Sequence, residues 1–310
     1  MWEIEFIENA SSNCVDNMMA SIAKLMCKHY QLYNLKYFYI KYFYGFRKIV
    51  SRTSSYEFVD NVLGMQFEFV RLKDLDVGFW ETINANIKIS PVGVMLDPYD
   101  CYWSPFYKKN HWYHMLLIID INKNDKKLTC FDAYYPTIGY VDISLDALEA
   151  IANRIVMFKV KQPNHNYIEL SIDYIKHIIE NHDIKAAEKD MIEFSNFVIN
   201  ELVPSEISQD GDFTTAKFLI QLSWVVEDRH NFIFGLKYLE DLIGIHIFDN
   251  VYQYLDYSYK QFMLLKTNLM KYSITKKMKK ETIASIIQDV YNTDKSMINE
   301  LQKVFKEVNL

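Results

Sequence analysis

The hydrophobic positions of the chain follow two different periods, and the change falls near residue 163. Before it, short apolar runs typical of strands are interrupted by helical patterns. After it, long stretches repeat apolar residues every three or four positions. Strands are predicted at residues 65–72, 91–96, 114–121, 127–132, 138–143 and 154–160. We therefore predict an α+β domain over residues 1–163 and a helical domain over residues 164–310, separated by the turn-forming Gln162-Pro163-Asn164.

The first helical pattern begins close to Cys14. Short polar residues precede this cysteine, and apolar residues follow it at helical spacing from Val15 to Met26. The N-terminus of a helix presents unpaired N–H groups and a partial positive charge, and both stabilise a thiolate. The position therefore suits a nucleophilic cysteine.

Two predicted strands carry the partners that such a nucleophile needs. His114 begins an apolar run that ends at the turn 122–125, and Asp132 ends the next run. If the two strands pair as a hairpin, His114 and Asp132 lie at the same end of the sheet, where the carboxylate would orient the imidazole. Asp97 and Asp120 also lie at strand ends and are rival carboxylates. The order Cys, His, Asp suggests a thiol acyl-transfer enzyme.

Composition narrows the function classes. The 310 residues include 34 basic and 40 acidic side chains, and the net charge of −6 argues against a nucleic-acid binder that relies on phosphate attraction. Four irregularly spaced cysteines and an N-terminus without a positive leader predict a reduced, cytoplasmic protein. No uncharged apolar run approaches the ~20 residues that span a bilayer, so we expect no membrane partner.

Two clusters in the first domain have competing interpretations. The aromatic-rich residues 35–46 favour a buried core element over a nucleic-acid stacking platform. Cys101, His111 and His114 form a Cys/His group that could be read as a metal site. The second cysteine of a CxxC pair is missing, however, so we predict no metal.

Charged residues of the helical domain also allow two interpretations. Arg229-His230 is interpreted as a solvated or capping pair rather than a catalytic one. A basic cluster is interpreted first as a solvated face, but it would also suit docking of an acidic carrier protein. Its members are Lys276, Lys277, Lys279 and Lys280.

Residues 90–136, SPVGVMLDPYDCYWSPFYKKNHWYHMLLIIDINKNDKKLTCFDAYYP, resemble the N-terminal domain of the butirosin biosynthesis protein H family. The shared features are a Pro-Val strand, an Asp-Pro-Tyr turn and a His that leads an apolar strand. Cys14 in an N-terminal helix completes the resemblance, which covers roughly residues 1–160. It implies a papain-like cysteine peptidase fold, with the Cys on an N-terminal helix and the His and Asp on an antiparallel sheet. Bacterial peptidases that trim double-glycine leader peptides share the same residue order.

The resemblance also implies an activity. Members of the family are acyltransferases that move an acyl or peptidyl group from a carrier-protein thioester to an amine in natural-product assembly. By position, Cys14 would be the nucleophile, His114 the general acid/base and Asp132 the orienting carboxylate, in preference to its rivals. The protein would need no cofactor of its own, because phosphopantetheine of the carrier protein holds the acyl group. The acceptor would be a small amine, and the best match among assembly lines is the diamine-joining transacylase of closthioamide-type polythioamides.

The resemblance leaves the oxyanion donor open. Peptidases of this type place a Gln a few residues before the Cys, and this chain has none there. Asn9 and Asn13 are the replacement candidates, alongside the backbone N–H of Cys14. Aromatic residues near the motifs would form a wall that excludes water. They are Trp103, Phe106, Trp112, Tyr113, Tyr134 and Tyr135.

Two other functions stay open. In a cysteine peptidase or thioesterase, water would replace the amine as acceptor. In a catalytically silent papain-like module, the domain would bind a carrier protein or peptide, with the helical domain as its contact surface. The reaction product distinguishes the acyltransferase from the peptidase or thioesterase. The reactivity of the Cys14 thiol distinguishes these enzymes from the binding module.

Overall fold

The structure, a computed structural model, describes residues 1–5, 7, 14–37, 56–132, 139–161, 165–208, 212–214 and 216–307. These residues form a mixed α+β protein. The helices are α1 (Cys14–Met26), α2 (Tyr56–Leu63), α3 (Phe79–Asn86), α4 (Leu145–Ile151), α5 (Tyr167–Glu180), α6 (Ile184–Asn200), α7 (Pro204–Ile207), α8 (Lys217–Ile243), α9 (Asp249–Thr275) and α10 (Lys280–Glu307). The strands are β1 (Met65–Arg71), β2 (Val92–Leu96), β3 (His114–Asn122), β4 (Lys127–Asp132), β5 (Gly139–Ser144) and β6 (Ala152–Val160).

The described strands form one antiparallel sheet in the order β1-β6-β2-β3-β4-β5. All six correspond to strands predicted from the apolar runs, so the α+β prediction is confirmed. β3 and β4 pair as the predicted hairpin, with Asn122 opposite Lys127 next to the turn. The Asn122 side chain accepts a hydrogen bond from the backbone N–H of Asn124, which closes the turn.

The hydrophobic core of the sheet sets the direction of the two polar side chains at its end. Side chains alternate between the faces of a strand, so His114 shares a face with Leu116, and Asp132 shares a face with Cys130. Leu116 and Cys130 belong to the same buried cluster. On β3 and β4 the polar pair therefore lies directly beyond the apolar core.

Helix α1 packs against β3. Its residues Met18, Met19 and Ile22 are fully buried. Burying one such side chain contributes roughly 1.5–3 kcal/mol. This apolar face fixes α1 on the strand that begins with His114.

The chain divides into two compact units. The first comprises Met1–Tyr33 with Val59–His165, and the second comprises Asn34–Phe58 with Asn166–Leu310. The sequence placed its boundary at residues 163 and 164 and kept residues 34–58 in the first domain. Among the described residues of that segment, Leu35 packs against Gly235 of α8. The packing is close, because a Cβ atom added to Gly235 would lie only 2.9 Å from Leu35 Cδ2.

The second unit is helical, as its apolar periodicity predicted. A buried hydrogen-bond network joins its three longest helices. Arg229 on α8 donates to Ser258 on α9 at 2.7 Å and to Asp294 on α10 at 2.6 Å. The interpretation of Arg229 as a solvated or capping residue is therefore wrong, because α9 and α10 cover it; His230 beside it is exposed.

None of the helices in the described ranges is long and apolar enough to cross a membrane.

Candidate functional site

Cys14 is the first described residue of α1 and is buried, with 5% of its surface exposed. Its Sγ lies 3.7 Å from the backbone carbonyl oxygen of Tyr113, to which the thiol can donate. The same side chain is close enough to the His114 ring to raise the pKa of that ring. The packing of α1 on β3 thus brings together two residues that are 100 positions apart in the sequence.

His114 and Asp132 form a buried pair at the end of the sheet. His114 Nε2 lies 2.7 Å from Asp132 Oδ2, and both side chains are almost fully shielded from solvent. Since Nε2 is occupied by Asp132, the ring nitrogen that remains for Cys14 is Nδ1. The imidazole is thus bonded to the carboxylate and interacts electrostatically with the thiol.

The surroundings of His114 favour its charged form. Burial lowers its pKa, but the charge and hydrogen bond of Asp132, together with Cys14, outweigh burial and raise the pKa to about 10. His114 is therefore an imidazolium at neutral pH. A cation beside Cys14 stabilises a thiolate and can later release a proton.

Asp132 has a second donor that the sequence did not reveal. The indole N–H of Trp103 donates to Asp132 Oδ2 at 3.0 Å. Trp103 was predicted only as part of an aromatic wall. Its hydrogen bond joins the connection between β2 and β3 to the end of β4.

The rival carboxylates have other partners. Asp97 accepts hydrogen bonds from the backbone N–H groups of Tyr99 and Trp112 and pairs with His111 Nδ1 at 2.8 Å. Burial raises the pKa of Asp97, but these partners outweigh it and the pKa is lowered overall. Asp120 lies at the surface, 3.7 Å from the N-terminal amine. The structure thus pairs His114 with Asp132.

The remaining thiols lie in apolar surroundings. All four cysteines, each within the described residues, are free thiols. Burial raises the pKa of Cys27 to about 11 and raises the pKa of Cys101 and Cys130 further still. These three are therefore protonated thiols that react slowly.

The Cys/His group considered as a metal site does not converge. Cys101 Sγ donates to the backbone oxygen of Asp97 at 3.5 Å, whereas His111 pairs with the Asp97 carboxylate. His114 is bonded to Asp132. Across the described part of the chain, no three His, Cys, Asp or Glu side chains are arranged to hold a metal ion.

Several predicted positions lie outside the described residues. These are the oxyanion candidates Asn9 and Asn13, the wall residues Tyr134 and Tyr135, and residues 38–46 of the aromatic segment. Of the other wall residues, Phe106 is buried, and the rings of Trp112 and Tyr113 are stacked with centroids 5.7 Å apart. Tyr113 is exposed. An aromatic surface thus adjoins the carbonyl group that contacts Cys14.

Asn17 is a polar residue that the sequence argument missed. It follows Cys14 by one helical turn and is 8% exposed, and its buried Oδ1 has no hydrogen-bond partner among the described residues. An unsatisfied buried carbonyl of this kind costs about 1–3 kcal/mol. The sequence did contain a signal for this residue, because Asn17 is an amide among the apolar residues of the helix.

The four lysines of the basic cluster lie around the connection between α9 and α10, and all are exposed. Lys276 Nζ donates to the Ser273 carbonyl at 2.6 Å, and Lys280 Nζ donates to Asn200 Oδ1 at 3.4 Å. Lys277 and Lys279 are the members best suited to tests by substitution, because their ammonium groups make no such bond to the residues that the structure describes.

A scan of the chain against protein-family models finds no match, and a search of curated protein sequences finds no similar protein.

Proposed function

We propose that this protein is a cysteine-dependent acyltransferase with a papain-like catalytic domain. It transfers an acyl or peptidyl group from a carrier-protein thioester, by way of an acyl-enzyme on Cys14, to an amine acceptor such as a diamine. The observation that carries the proposal is the buried His114 ring, which is bonded to the Asp132 carboxylate and interacts electrostatically with the Cys14 side chain. A nucleophile, a base and an orienting group are the parts that covalent acyl transfer requires.

In the first half-reaction, the Cys14 thiolate attacks the thioester carbonyl. The new S–C bond forms as the bond to the phosphopantetheine sulfur breaks, and the imidazolium of His114 gives its proton to the departing thiolate. The products are an acyl-enzyme, a carrier thiol and a neutral His114. Asp132 holds the ring in place throughout.

In the second half-reaction, a neutral amine attacks the acyl group. His114 takes the proton that the amine loses, and the Cys14 thiolate leaves as the amide forms. The imidazolium and the thiolate are thereby restored. Water competes for the same acyl-enzyme, so transfer requires that the amine be bound and water be excluded. The aromatic surface at Trp112 and Tyr113 supports this requirement.

Intact mass spectrometry tests the proposal. Incubation with acyl-pantetheine thioesters should add one acyl mass to the wild-type protein and to Cys27→Ser, its matched control. Cys14→Ser should remain unmodified, because its hydroxyl is a far weaker nucleophile than a thiolate. Addition of a diamine should remove the adduct and release an amide. Release of the free acid alone, at any amine concentration, would show a hydrolase and refute transfer.

A further inference from the structure

The Asp132 carboxylate accepts a hydrogen bond that the proposed mechanism leaves unexplained. Trp103 Nε1 and His114 Nε2 both lie within hydrogen-bond distance of the same oxygen, Oδ2, at 3.0 Å and 2.7 Å. An indole N–H can only donate, so this bond has a fixed direction that does not depend on the tautomer of the histidine. Oδ2 is therefore the acceptor in the bond with Trp103.

The position of the indole is set by the segment that carries it. Cys101 is fully buried, and its backbone oxygen accepts a hydrogen bond from Ser104 N–H at 2.9 Å. The Trp103 ring packs against the hydrophobic cluster of the first unit and meets the Tyr102 ring edge-to-face at 4.9 Å. The indole is thus anchored independently of Asp132, which allows it to orient the carboxylate.

We propose that Trp103 is a positioning residue for acyl transfer. Its N–H holds the Asp132 carboxylate in the rotamer that meets His114 Nε2. Asp132 is fully buried, so a donor aimed at its carboxylate has a larger effect there than in water. This inference rests on the proposed function of Cys14, and Trp103 acts only through Asp132.

The Trp103→Phe variant removes the N–H and keeps an aromatic ring. We expect kcat to fall roughly 10- to 100-fold with KM unchanged, since a hydrogen bond to a charged group is lost. Trp80→Phe is the matched control, because Trp80 is partly buried against the same cluster. Its kcat should match that of the wild type.

A double-mutant cycle separates positioning from a general structural effect. In an Asp132→Ala background, Trp103→Phe should cause no further loss of kcat, because its acceptor is absent. An equal loss in both backgrounds would overturn the proposal. Circular dichroism of each variant identifies any that fail to fold.

A second measurement needs no turnover. The ring ¹⁵N shifts of His114 should titrate near pH 10 in the wild type and in Trp80→Phe. In Trp103→Phe the transition should move to lower pH, because a less well oriented carboxylate holds the imidazolium more weakly. An unchanged transition would overturn the role of Trp103 whatever happens to kcat. If the wild type transfers no acyl group but the transition is shifted in Trp103→Phe, the proposed function is refuted. The role of Trp103 in positioning Asp132 would still stand.

Discussion

At the scale of single residues, one imidazole links groups from three parts of the chain. His114 is bonded to Asp132 from the neighbouring strand and interacts with Cys14 from α1. The charge of Asp132 raises the pKa of the ring and so favours its protonated form beside Cys14. The same coupling makes the stability of the protein depend on pH.

The pKa of His114 is raised in the folded protein, so its contribution to stability has a defined pH range. The contribution is complete below the unfolded value of about 6.5 and is lost as pH rises through about 10. We therefore expect the difference in unfolding free energy between the wild type and His114→Gln to shrink from pH 6 to pH 10. Urea unfolding of both proteins at several pH values measures this difference. The contributions of groups that titrate equally in both proteins cancel.

The exposed His230 provides the comparison for that experiment. The difference between the wild type and His230→Gln should stay constant over the same range. A constant difference for His114→Gln as well would show that no imidazolium is held by Asp132.

Thiol reactivity offers a second test at the residue scale. Iodoacetamide should modify Cys14 at least about tenfold faster than the other three cysteines, because burial raises the pKa of each of those and keeps them protonated. Timed labelling followed by peptide mass mapping gives the four rates. His114→Ala should abolish the preference and His111→Ala should retain it. Equal rates in the wild type would favour the binding-module alternative.

At the scale of elements, buried polar groups fix how the long helices of the second unit pack. The Arg229 guanidinium contacts Ser258 and Asp294 and also lies 4.5 Å from the centre of the Phe262 ring. α8, α9 and α10 each contribute to this network. A shift of one helix along another would leave a buried charge unpaired, which is costly.

Removal of one partner should therefore destabilise the protein more than removal of both. We expect Arg229→Met to lower the unfolding free energy by about 3–5 kcal/mol, because Asp294 stays buried without its cation. The double variant Arg229→Met/Asp294→Leu should lose less unfolding free energy than Arg229→Met alone. Urea unfolding followed by far-ultraviolet circular dichroism measures both.

Lys260→Met is a suitable control, since Lys260 pairs with Asp256 at an exposed helix surface. Such pairs contribute little to stability, so this variant should unfold like the wild type. If Arg229→Met lowers the unfolding free energy as little as Lys260→Met does, the buried network around Arg229 does not contribute to stability.

At the scale of the whole molecule, the proposed donor is itself a protein, and a docking surface is needed. Lys277 and Lys279 are exposed at the connection between α9 and α10. An acidic carrier protein would be attracted by such a cluster, and the attraction would weaken with salt. The proposal that a carrier protein is the acyl donor therefore includes a docking surface on the helical unit.

Reversal of these charges tests the docking surface. Lys277→Glu/Lys279→Glu should raise KM for the acyl-carrier protein severalfold at low salt and leave KM for a free acyl-pantetheine thioester unchanged. The control Lys185→Glu/Lys189→Glu makes the same charge change at exposed positions of α6. If both variants bind the carrier with wild-type affinity, the basic cluster is only a solvated face.

Much of the secondary structure could be read from the sequence, because it depends on local periodicity. The apolar runs located all six described strands, and the short turn at residues 122–125 indicated the hairpin that joins His114 to Asp132. The start of the first helical pattern also marked Cys14. Each of these features depends on residues that are close in the sequence or on adjacent strands.

Contacts between distant segments were decided by the tertiary structure. Asp97, Asp120 and Asp132 all lie near strand ends, and residue type does not say which carboxylate faces His114; the sheet order and the packing of α1 do. Trp103 reaches Asp132 across 29 positions, and Arg229 reaches Asp294 across 65. Hydrophobic periodicity encodes which face of an element is buried, whereas the partner on that face depends on how the elements pack. The sequence by itself therefore determined the elements and the reactive groups, and the fold determined which of those groups meet.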